Sequence, residues 1–188
     1  MRRTNVKVLA VVGSPRKRGN TDLLMGEVIR GAREVGAWVE RVFLADLAIA
    51  PCDGCDACRN TVRCVHLDDM TALYDKLFGS DVWVLGTPVY WWGPSAQLKT
   101  FIDRWYLFGD DQRYRVQGKR AALVAAFADD APSTARHVVG MLQDTFEYLG
   151  IEFKEQLLVT AGDRGEVATN APAMERAHAL GKRLGLGG

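Results

Sequence analysis

Five short segments rich in Val, Leu and Ala are spaced along the chain, and segments with helical spacing lie between them. The five are residues 6–12, 39–44, 82–85, 121–127 and 153–159. The first, third and fourth are almost free of polar residues, which is typical of strands in a parallel sheet covered by helices on both faces. The sequence therefore predicts an α/β fold in three layers, built on a five-stranded parallel sheet.

The segments between these strands carry apolar residues at the three- and four-residue intervals of a helix. In the first of them, apolar side chains recur from Leu24 to Val35, and Gly36 ends the pattern. Residues suited to a helix N-terminus mark where the helices should begin. These residues are Asn20, Asp68 or Asp69, Ser95, Ser133, and Pro172 in a closing helix at 171–185.

Length and composition fit one domain that extends over residues 1–188. The chain is 48% hydrophobic and 25% charged, so it can form a buried core. Its 24 basic and 23 acidic side chains give a formal net charge of +1. Because so small a charge creates no strong field, we expect neither a nucleic acid nor an anionic membrane as partner.

The N-terminus, Met1-Arg2-Arg3, is basic and precedes an apolar stretch, as in a secretory signal. Lys7 interrupts that stretch, and Gly13 ends it before a basic run, so the core of a signal is missing. No apolar run approaches the length of a membrane span. We therefore expect a cytoplasmic protein, in which four cysteines would not form structural disulfides.

Two loops are placed where parallel sheets bind ligands, beyond the carboxyl ends of the strands at the point where the strand order reverses. For the strand order 2-1-3-4-5, that point lies between strands one and three. The loops that follow these strands are residues 13–21, with the sequence GSPRKRGNT, and residues 87–94. The sequence thus predicts the ligand site between these two loops.

The first of these loops has the composition of an anion site. Glycines allow a tight turn, hydroxyls and helix N-H groups can donate, and an arginine can make a two-pronged contact with phosphate. The nucleotide-hydrolase loop is excluded because Asn20 stands where it needs lysine, and Pro15 replaces a glycine of the dinucleotide fingerprint. An ordinary basic turn between strand and helix is the alternative.

Several motifs occur together, in a fixed order, between about residue 6 and residue 160. They are Gly-Ser-Pro-Arg-x-x-Gly-Asn-Thr from Gly13, Pro51-Cys52-x-x-Cys55-x-x-Cys58, Cys64, Asp68-Asp69-Met70, Thr87-Pro88-Val89-Tyr90, and Gln97-Leu98-Lys99-x-Phe101-Ile102-Asp103-Arg104. This set resembles the flavodoxin-like NAD(P)H-dependent FMN reductases and, more narrowly, their iron-sulfur flavoprotein branch. The resemblance implies a flavodoxin-like fold, FMN as cofactor and NAD(P)H as co-substrate.

The resemblance also implies which residues hold the cofactor. The FMN phosphate would bind the first loop, and the ribityl chain and isoalloxazine edge would lie along the second. The implied residues are Ser14, Arg16, Gly19, Asn20, Thr21, Thr87, Pro88, Val89, Tyr90, Trp91, Trp92 and Ala128. An alternative for the two tryptophans is packing against a neighbouring subunit. Beside Ala128, Asp129 and Asp130 replace the small residues common in the family, so a solvated turn is the alternative there.

All the cysteines lie in one cysteine-rich loop, residues 45–67, which has no clear periodicity. Its stretch CDGCDACRNTVRC holds Cys52, Cys55, Cys58 and Cys64 at intervals that let one loop surround a four-iron, four-sulfur ([4Fe-4S]) cluster. There are three alternatives: zinc with His66 as a further ligand, a redox pair of thiols, or cysteines without any metal.

Two functions fit this sequence. The first is an FMN-dependent oxidoreductase that takes a hydride from NAD(P)H and passes electrons through the flavin, with or without a [4Fe-4S] cluster, to a small-molecule or protein acceptor. The second is a non-enzymatic electron carrier between protein partners. No side chain stands out as an acid or base, so no catalytic residue is named. A homodimer or homotetramer is expected, because aromatic residues concentrate near one edge of the sheet: Tyr90, Trp91, Trp92, Trp105, Tyr106 and Phe108.

Overall fold

The computed structural model describes residues 5–186, apart from the side chains at positions 110 and 111. The N-terminal Met1-Arg2-Arg3, on which part of the targeting argument rests, lies outside the described residues. The strands are β1 (Lys7–Val12), β2 (Trp38–Phe43), β3 (Val82–Pro88), β4 (Arg120–Phe127) and β5 (Glu152–Thr160). The helices are α1 (Asn20–Glu34), α2 (Ala57–Thr61), α3 (Met70–Gly79), α4 (Ala96–Asp103), α5 (Arg136–Leu149) and α6 (Ala171–Gly185).

The five strands form one parallel sheet in the order β2-β1-β3-β4-β5, which confirms the predicted fold class and strand order. In the register at its centre, Val11 lies between Val42 of β2 and Leu85 of β3. The strand order reverses beside β1, so the loops after β1 and β3 leave the sheet at neighbouring points. This topology brings the predicted ligand loops together.

Helices cover both faces of the sheet and create two buried layers. Alternate residues of β1 divide between them: Leu9 and Val11 face α3, α4 and α5, while Val8 and Ala10 face α1 and α6. Each side chain of a central strand is therefore removed from water, which explains why the segments are apolar throughout. No helix within residues 5–186 combines the length and the apolar character that crossing a membrane requires.

The aromatic residues after α4 lie mostly inside the protein. Trp105 is 4% exposed and Phe108 is fully buried, and both pack on Trp83 of β3. The expectation that they extend an exposed aromatic edge is therefore wrong, because the chain turns them into the layer between α4 and α5. Tyr106 is exposed, and the oligomeric state stays a prediction.

Helices α1 and α6 cross at two glycines. A methyl group on Gly31 would collide with the carbonyl of His178, and one on Gly181 would collide with the carbonyl of Val28. Only the absence of both side chains allows the backbones to approach this closely. The crossing therefore holds the second half of α1 against α6, and the first turn of the same helix belongs to the ligand loop.

Helix starts agree with the sequence where the capping partner is local. Ser95 caps α4 and accepts from the Leu98 N–H at 3.2 Å. By contrast, Gly19 rather than Asn20 is the N-cap of α1, and α5 begins at Arg136 because a 3₁₀ turn occupies Pro132–Ala135. Within the predicted loop at 45–67, the structure adds the short helix α2 and, at its start, a 3₁₀ turn.

Candidate functional site

A cleft of about 260 Å³ lies beyond the carboxyl ends of four strands. It is bounded by the loops that follow β1, β3, β4 and β5. Most of the predicted cofactor residues line it, namely Ser14, Arg16, Gly19, Asn20, Thr21, Pro88, Val89, Tyr90 and Ala128. Ala126, Phe127, Ala161, Gly162 and Arg164 line it as well. The topology therefore gathers residues that are distant in sequence into one site.

The first loop is fixed to the second loop by contacts at Gly13. Its N–H donates to the carbonyl of Gly86 at 2.7 Å, and its carbonyl accepts from the Ser95 hydroxyl at 2.6 Å. A methyl group on Gly13 would lie 2.8 Å from the Cβ of Leu98, so no larger residue fits without displacing α4. The two ligand loops thus form one connected structure.

The start of α1 provides donors for an anion. Gly19 at the N-cap has an extended backbone, and no side chain caps the helix. The first N–H groups of a helix have no partner within it, and the helix dipole places partial positive charge there. Arg16 is exposed beside them, and its own N–H donates to the buried Ser14 hydroxyl at 3.2 Å. This arrangement suits a phosphate group.

The Asn20 side chain contacts protein groups rather than open space. Its amide nitrogen donates to the carbonyls of Ala161 at 3.0 Å and Asp163 at 2.8 Å. Its amide oxygen accepts from the Val167 N–H at 3.2 Å. Both amide hydrogens are used in this way, so Asn20 can offer an anion only its backbone N–H. The side chain ties the start of α1 to the loop after β5.

Arg164, in that same loop, is a cleft residue that the sequence reasoning missed. Its guanidinium donates to the Lys17 carbonyl at 2.8 Å, which holds it beside the first loop. It adds a second exposed cation to the end of the cleft occupied by Arg16. The predicted topology could have revealed Arg164, because β5 ends at the same edge of the sheet as the other strands.

The second loop supplies an apolar wall. Pro88, Val89 and Tyr90 line the cleft, and the Val89 N–H donates to the Ala126 carbonyl at 2.9 Å, so the loop continues the pairing with β4. Thr87 is fully buried, and its hydroxyl accepts from the Ser95 N–H at 3.0 Å. Thr87 therefore supports the loop and is not among the described residues that line the cleft.

Trp91 and Trp92 form the tip of a tight turn. Tyr90 and Gly93 exchange backbone hydrogen bonds of 2.9 Å, and the two tryptophans between them have φ angles of 49° and 60°. Two consecutive left-handed residues define the type I′ turn, which favours Asn-Gly and is costly for bulky side chains. Trp91 is 91% exposed. Neither tryptophan is among the described residues that line the cleft.

The loop after β4 contributes through Ala128, whereas the aspartate beside it builds a turn. The Asp129 carboxylate accepts from the Ala131 N–H at 3.1 Å, and this bond lowers the pKa of Asp129 below its ordinary value. Its carbonyl accepts from the Thr160 hydroxyl. Asp129 thus makes one structural hydrogen bond through its side chain and another through its backbone.

Other openings are larger, but their chemistry differs. One of about 600 Å³ lies along β2, and the ion pairs Lys17–Asp46, Arg41–Asp22 and Lys76–Glu40 line it. Because these charges already neutralise one another, little attraction remains for an ionic ligand. The smaller cleft combines a helix N-terminus, two cations and an apolar wall, so it is the better candidate.

All four cysteines line a second, small cavity formed with the loop at 45–67. Cys55 is exposed, and Cys52, Cys58 and Cys64 are half-buried. Burial raises the pKa of the Cys58 thiol, and the charges of the three other thiols add to this effect. The loop therefore brings four sulfur donors from one short segment around one point.

The surroundings of this cavity fit an anionic, sulfur-rich occupant. The Arg104 guanidinium lines it, and its Nε has no hydrogen-bond partner among the described residues. The cavity measures about 20 Å³, which is room for one water or one ion, so the cysteine loop must move outward to enclose a larger cluster. A competing donor set exists as well: donor atoms of Asp53, Cys55 and His66 lie within 4.8 Å of one another.

Comparisons with known proteins identify the family of this chain. Residues 6–159 match the model of the family described as NADPH-dependent FMN reductase. An iron-sulfur flavoprotein of Methanocaldococcus jannaschii is 41% identical over 99 residues, which are 53% of this chain and 51% of that protein. A Bacillus subtilis protein whose name describes an NAD(P)H-dependent FMN-containing oxidoreductase is 26% identical over 95% of this chain and 98% of its own.

Solved structures share the fold. An NAD(P)H:quinone oxidoreductase from Methanothermobacter marburgensis superposes with a TM-score of 0.77 at 15% identity, covering 98% of both chains. The Trp repressor binding protein from Bacillus subtilis gives 0.72 at 23% identity, covering 92% of this chain and 98% of that one. The matched region spans about half the length of the first curated relatives, at 51 to 55%. Because its family model covers most of the sequence, the chain belongs to the NADPH-dependent FMN reductase family.

Proposed function

We propose that this chain binds FMN in the cleft and is an oxidoreductase that uses reduced nicotinamide nucleotide as electron donor. The observation that carries the proposal is the convergence, in one cleft, of a helix N-terminus, Arg16 and an apolar wall at Val89 and Tyr90. A phosphate group suits the first two features, and a planar aromatic ring suits the third.

The side chains of the cleft would bind and orient the cofactor. Arg16 and the N–H groups at the start of α1 would hold the phosphate, with Arg164 as a second cation. Backbone groups around Val89 would border the ring. Bound FMN would supply an N5 atom that accepts a hydride. The described residues that line the cleft include no carboxylate, histidine, lysine or thiol, so the protein's part there is positioning.

We also propose that Cys52, Cys55, Cys58 and Cys64 hold a [4Fe-4S] cluster. The support is their convergence on one cavity beside the unpartnered Arg104 Nε, together with relatives that are named iron-sulfur flavoproteins. Such a cluster would supply one-electron transfer toward the acceptor. The FMN cleft and the cysteine cavity have no described lining residue in common, so any coupling between them acts across intervening protein or between subunits.

The first experiment separates the enzyme from the electron carrier. FMN-loaded protein is mixed with NADPH or NADH in the absence of air, and the flavin band is followed. Rapid bleaching by either nucleotide supports the oxidoreductase. Bleaching only after addition of a reduced protein donor contradicts it and supports the carrier.

The second experiment tests the cysteine site. Protein purified without air, and supplied with iron and sulfide, is analysed for iron, zinc and acid-labile sulfide. About four iron and four sulfide per chain support the cluster, and the Cys58→Ser variant should lose both while keeping FMN. Zinc alone, or no metal, contradicts the cluster.

We also propose that the electron acceptor is a small molecule or a protein. In the same proposal, the protein is cytoplasmic and forms a homodimer or homotetramer.

A further inference from the structure

Arg104, which follows α4, is a buried cation at the base of the cysteine loop. Its side chain is 1% exposed. One terminal nitrogen donates to the Asp68 carboxylate at 2.6 Å and to the Ala50 carbonyl at 2.8 Å. The other lies 3.2 Å from the Cys64 sulfur and 3.4 Å from the His66 carbonyl. One guanidinium thus contacts a predicted ligand and the backbone on both sides of it.

These contacts close the loop at its two ends. Ala50 precedes all four cysteines, and His66 and Asp68 follow them. The Asp68 carboxylate also accepts from the Ala50 N–H at 2.9 Å, so carboxylate and guanidinium together join the first and last residues of the segment 50–68. Every cysteine lies between the joined ends, and Cys64 is held directly.

Charges around Arg104 are arranged to keep both partners ionised. Arginine keeps its proton in proteins, and one terminal nitrogen of Arg104 lies 2.6 Å from the Asp68 carboxylate. Burial alone would raise the pKa of Asp68, but the bonds from Arg104 and from two backbone N–H groups hold it below its ordinary value. The Arg104 charge is therefore balanced by Asp68, while a terminal N–H group of the guanidinium lies beside the Cys64 sulfur.

A contribution to folding stability does not by itself explain why Arg104 and Asp68 are buried together. Moving two charges from water into the protein interior costs about as much free energy as their mutual attraction returns. Well-packed apolar residues of similar volume often stabilise a fold equally well or better. The Nε group, buried and without a partner among the described residues, adds a further cost. An occupant with several negative sulfur atoms would offset part of this cost, because it would accept from the terminal N–H groups beside Cys64.

We propose that Arg104 is a positioning residue of the cysteine site: it closes the loop that carries the four thiols and supplies N–H donors to a thiolate-bound occupant. The metal-dependent half of this inference rests on the proposed function, whereas the loop closure does not. Hydrogen bonds and positive charge at thiolate sulfur favour the more negative, reduced state, so Arg104 should raise the reduction potential of a bound cluster.

The test is Arg104→Lys in the full chain, reconstituted with iron and sulfide without air. Lysine keeps the charge, but its single nitrogen cannot occupy the positions of both terminal nitrogens of Arg104, one at Ala50 and Asp68 and the other at Cys64. The rate of iron loss to a chelator should rise roughly 10-fold or more, as for other partners of metal ligands, and the reduction potential should fall. FMN affinity should change less than about twofold, because the cleft has no lining residue in common with this site.

Arg120→Lys is the matched control. Arg120 is half-buried rather than buried. Like Arg104 it donates to backbone carbonyls, those of Leu184 and Leu186, but it lies at the start of β4, at the other end of the sheet. Its iron retention and potential should equal those of the wild type. Equal values in Arg104→Lys as well would overturn the proposal. If Arg104→Lys does not fold, the double variant Arg104→Met with Asp68→Asn avoids an unpaired buried charge, and the same losses are expected.

Hydrogen exchange separates this inference from the proposed cluster. In metal-free protein, Arg104→Lys should speed the exchange of amides in residues 50–68 while the strands stay protected. If the wild type binds no iron, the cluster proposal fails, yet faster loop exchange still supports the closure. Unchanged exchange in that segment contradicts the closure whatever the metal content.

Discussion

Replacing Asn20 with alanine distinguishes two roles for a residue at the start of α1. The resemblance to the family predicts that Asn20 holds the FMN phosphate. In the structure its side chain instead bonds to Ala161, Asp163 and Val167 in the loop after β5. A phosphate ligand matters only when FMN is present, whereas a structural link also stabilises the protein without it. We therefore expect Asn20→Ala to destabilise the FMN-free protein.

The size of the effect follows from the bonds that are lost. Three hydrogen bonds disappear, and each contributes about 1 kcal/mol in a folded protein. The one to Asp163 is exposed and is worth less. The free energy of unfolding should thus fall by about 2 kcal/mol, which corresponds to a fall of roughly 4–8 °C in Tm for a domain of this size.

Urea unfolding of FMN-free protein, followed by far-ultraviolet circular dichroism, measures this change. Asn20→Asp should be at least as destabilising, because a carboxylate oxygen would face the carbonyls of Ala161 and Asp163. Asn170→Ala is the control for losing one cap bond, from the Ala173 N–H, and should cost about 1 kcal/mol. If Asn20→Ala unfolds at the wild-type urea concentration and only weakens FMN binding, the structural role assigned to Asn20 is wrong.

Three further predictions concern the phosphate site, the helix crossing and the tryptophan turn. Arg16→Ala should weaken FMN binding by about 1.5–3 kcal/mol, or roughly 10- to 150-fold, in a fluorescence titration, and unchanged affinity would remove Arg16 from the site. Gly181→Ala should cost more than about 3 kcal/mol in chemical unfolding, because its methyl group meets the α1 backbone. Gly140→Ala in α5, with nothing within 4 Å of the added methyl, should gain about 0.5–1 kcal/mol, and equal effects at the two glycines would contradict the close crossing. Replacing Trp91-Trp92 with Asn-Gly should stabilise FMN-free protein against chemical unfolding by about 1–3 kcal/mol, because the backbone strain is relieved. A loss of stability would mean that packing of the two indoles contributes more free energy than the strain costs.

The sequence predicted the sheet because each central strand is buried on both faces and so carries an uninterrupted apolar signal. The strand order is the one that the flavodoxin-like resemblance implies, and for that order the rule for ligand sites in parallel sheets predicts the position of the cleft. Ser95 was predicted as a cap because its partner, the Leu98 N–H, lies three residues away. Asn20 has the same local signal, but its partners are more than 140 residues away, so the sequence could not reveal them.

Long-range contacts explain the other differences. Arg164 reaches the cleft only because β5 ends beside β4, and its nearest partner is the Lys17 carbonyl. Arg104 appears in the sequence as part of a motif with no evident task, and folding brings it to Cys64, 40 residues earlier. A tight turn built from two tryptophans contradicts local preference, so no turn rule predicts it.

Comparing FMN with riboflavin tests the central claim most directly, because the two ligands differ only in the phosphate. FMN-free protein is titrated with each, and quenching of flavin fluorescence gives stoichiometry and Kd. The anion site at the start of α1 predicts one FMN per chain and riboflavin binding weaker by roughly 10-fold or more, with the gap largely lost in Arg16→Ala. Equal binding of the two flavins, or no binding of either, would contradict the assignment of this cleft as a phosphate-anchored flavin site.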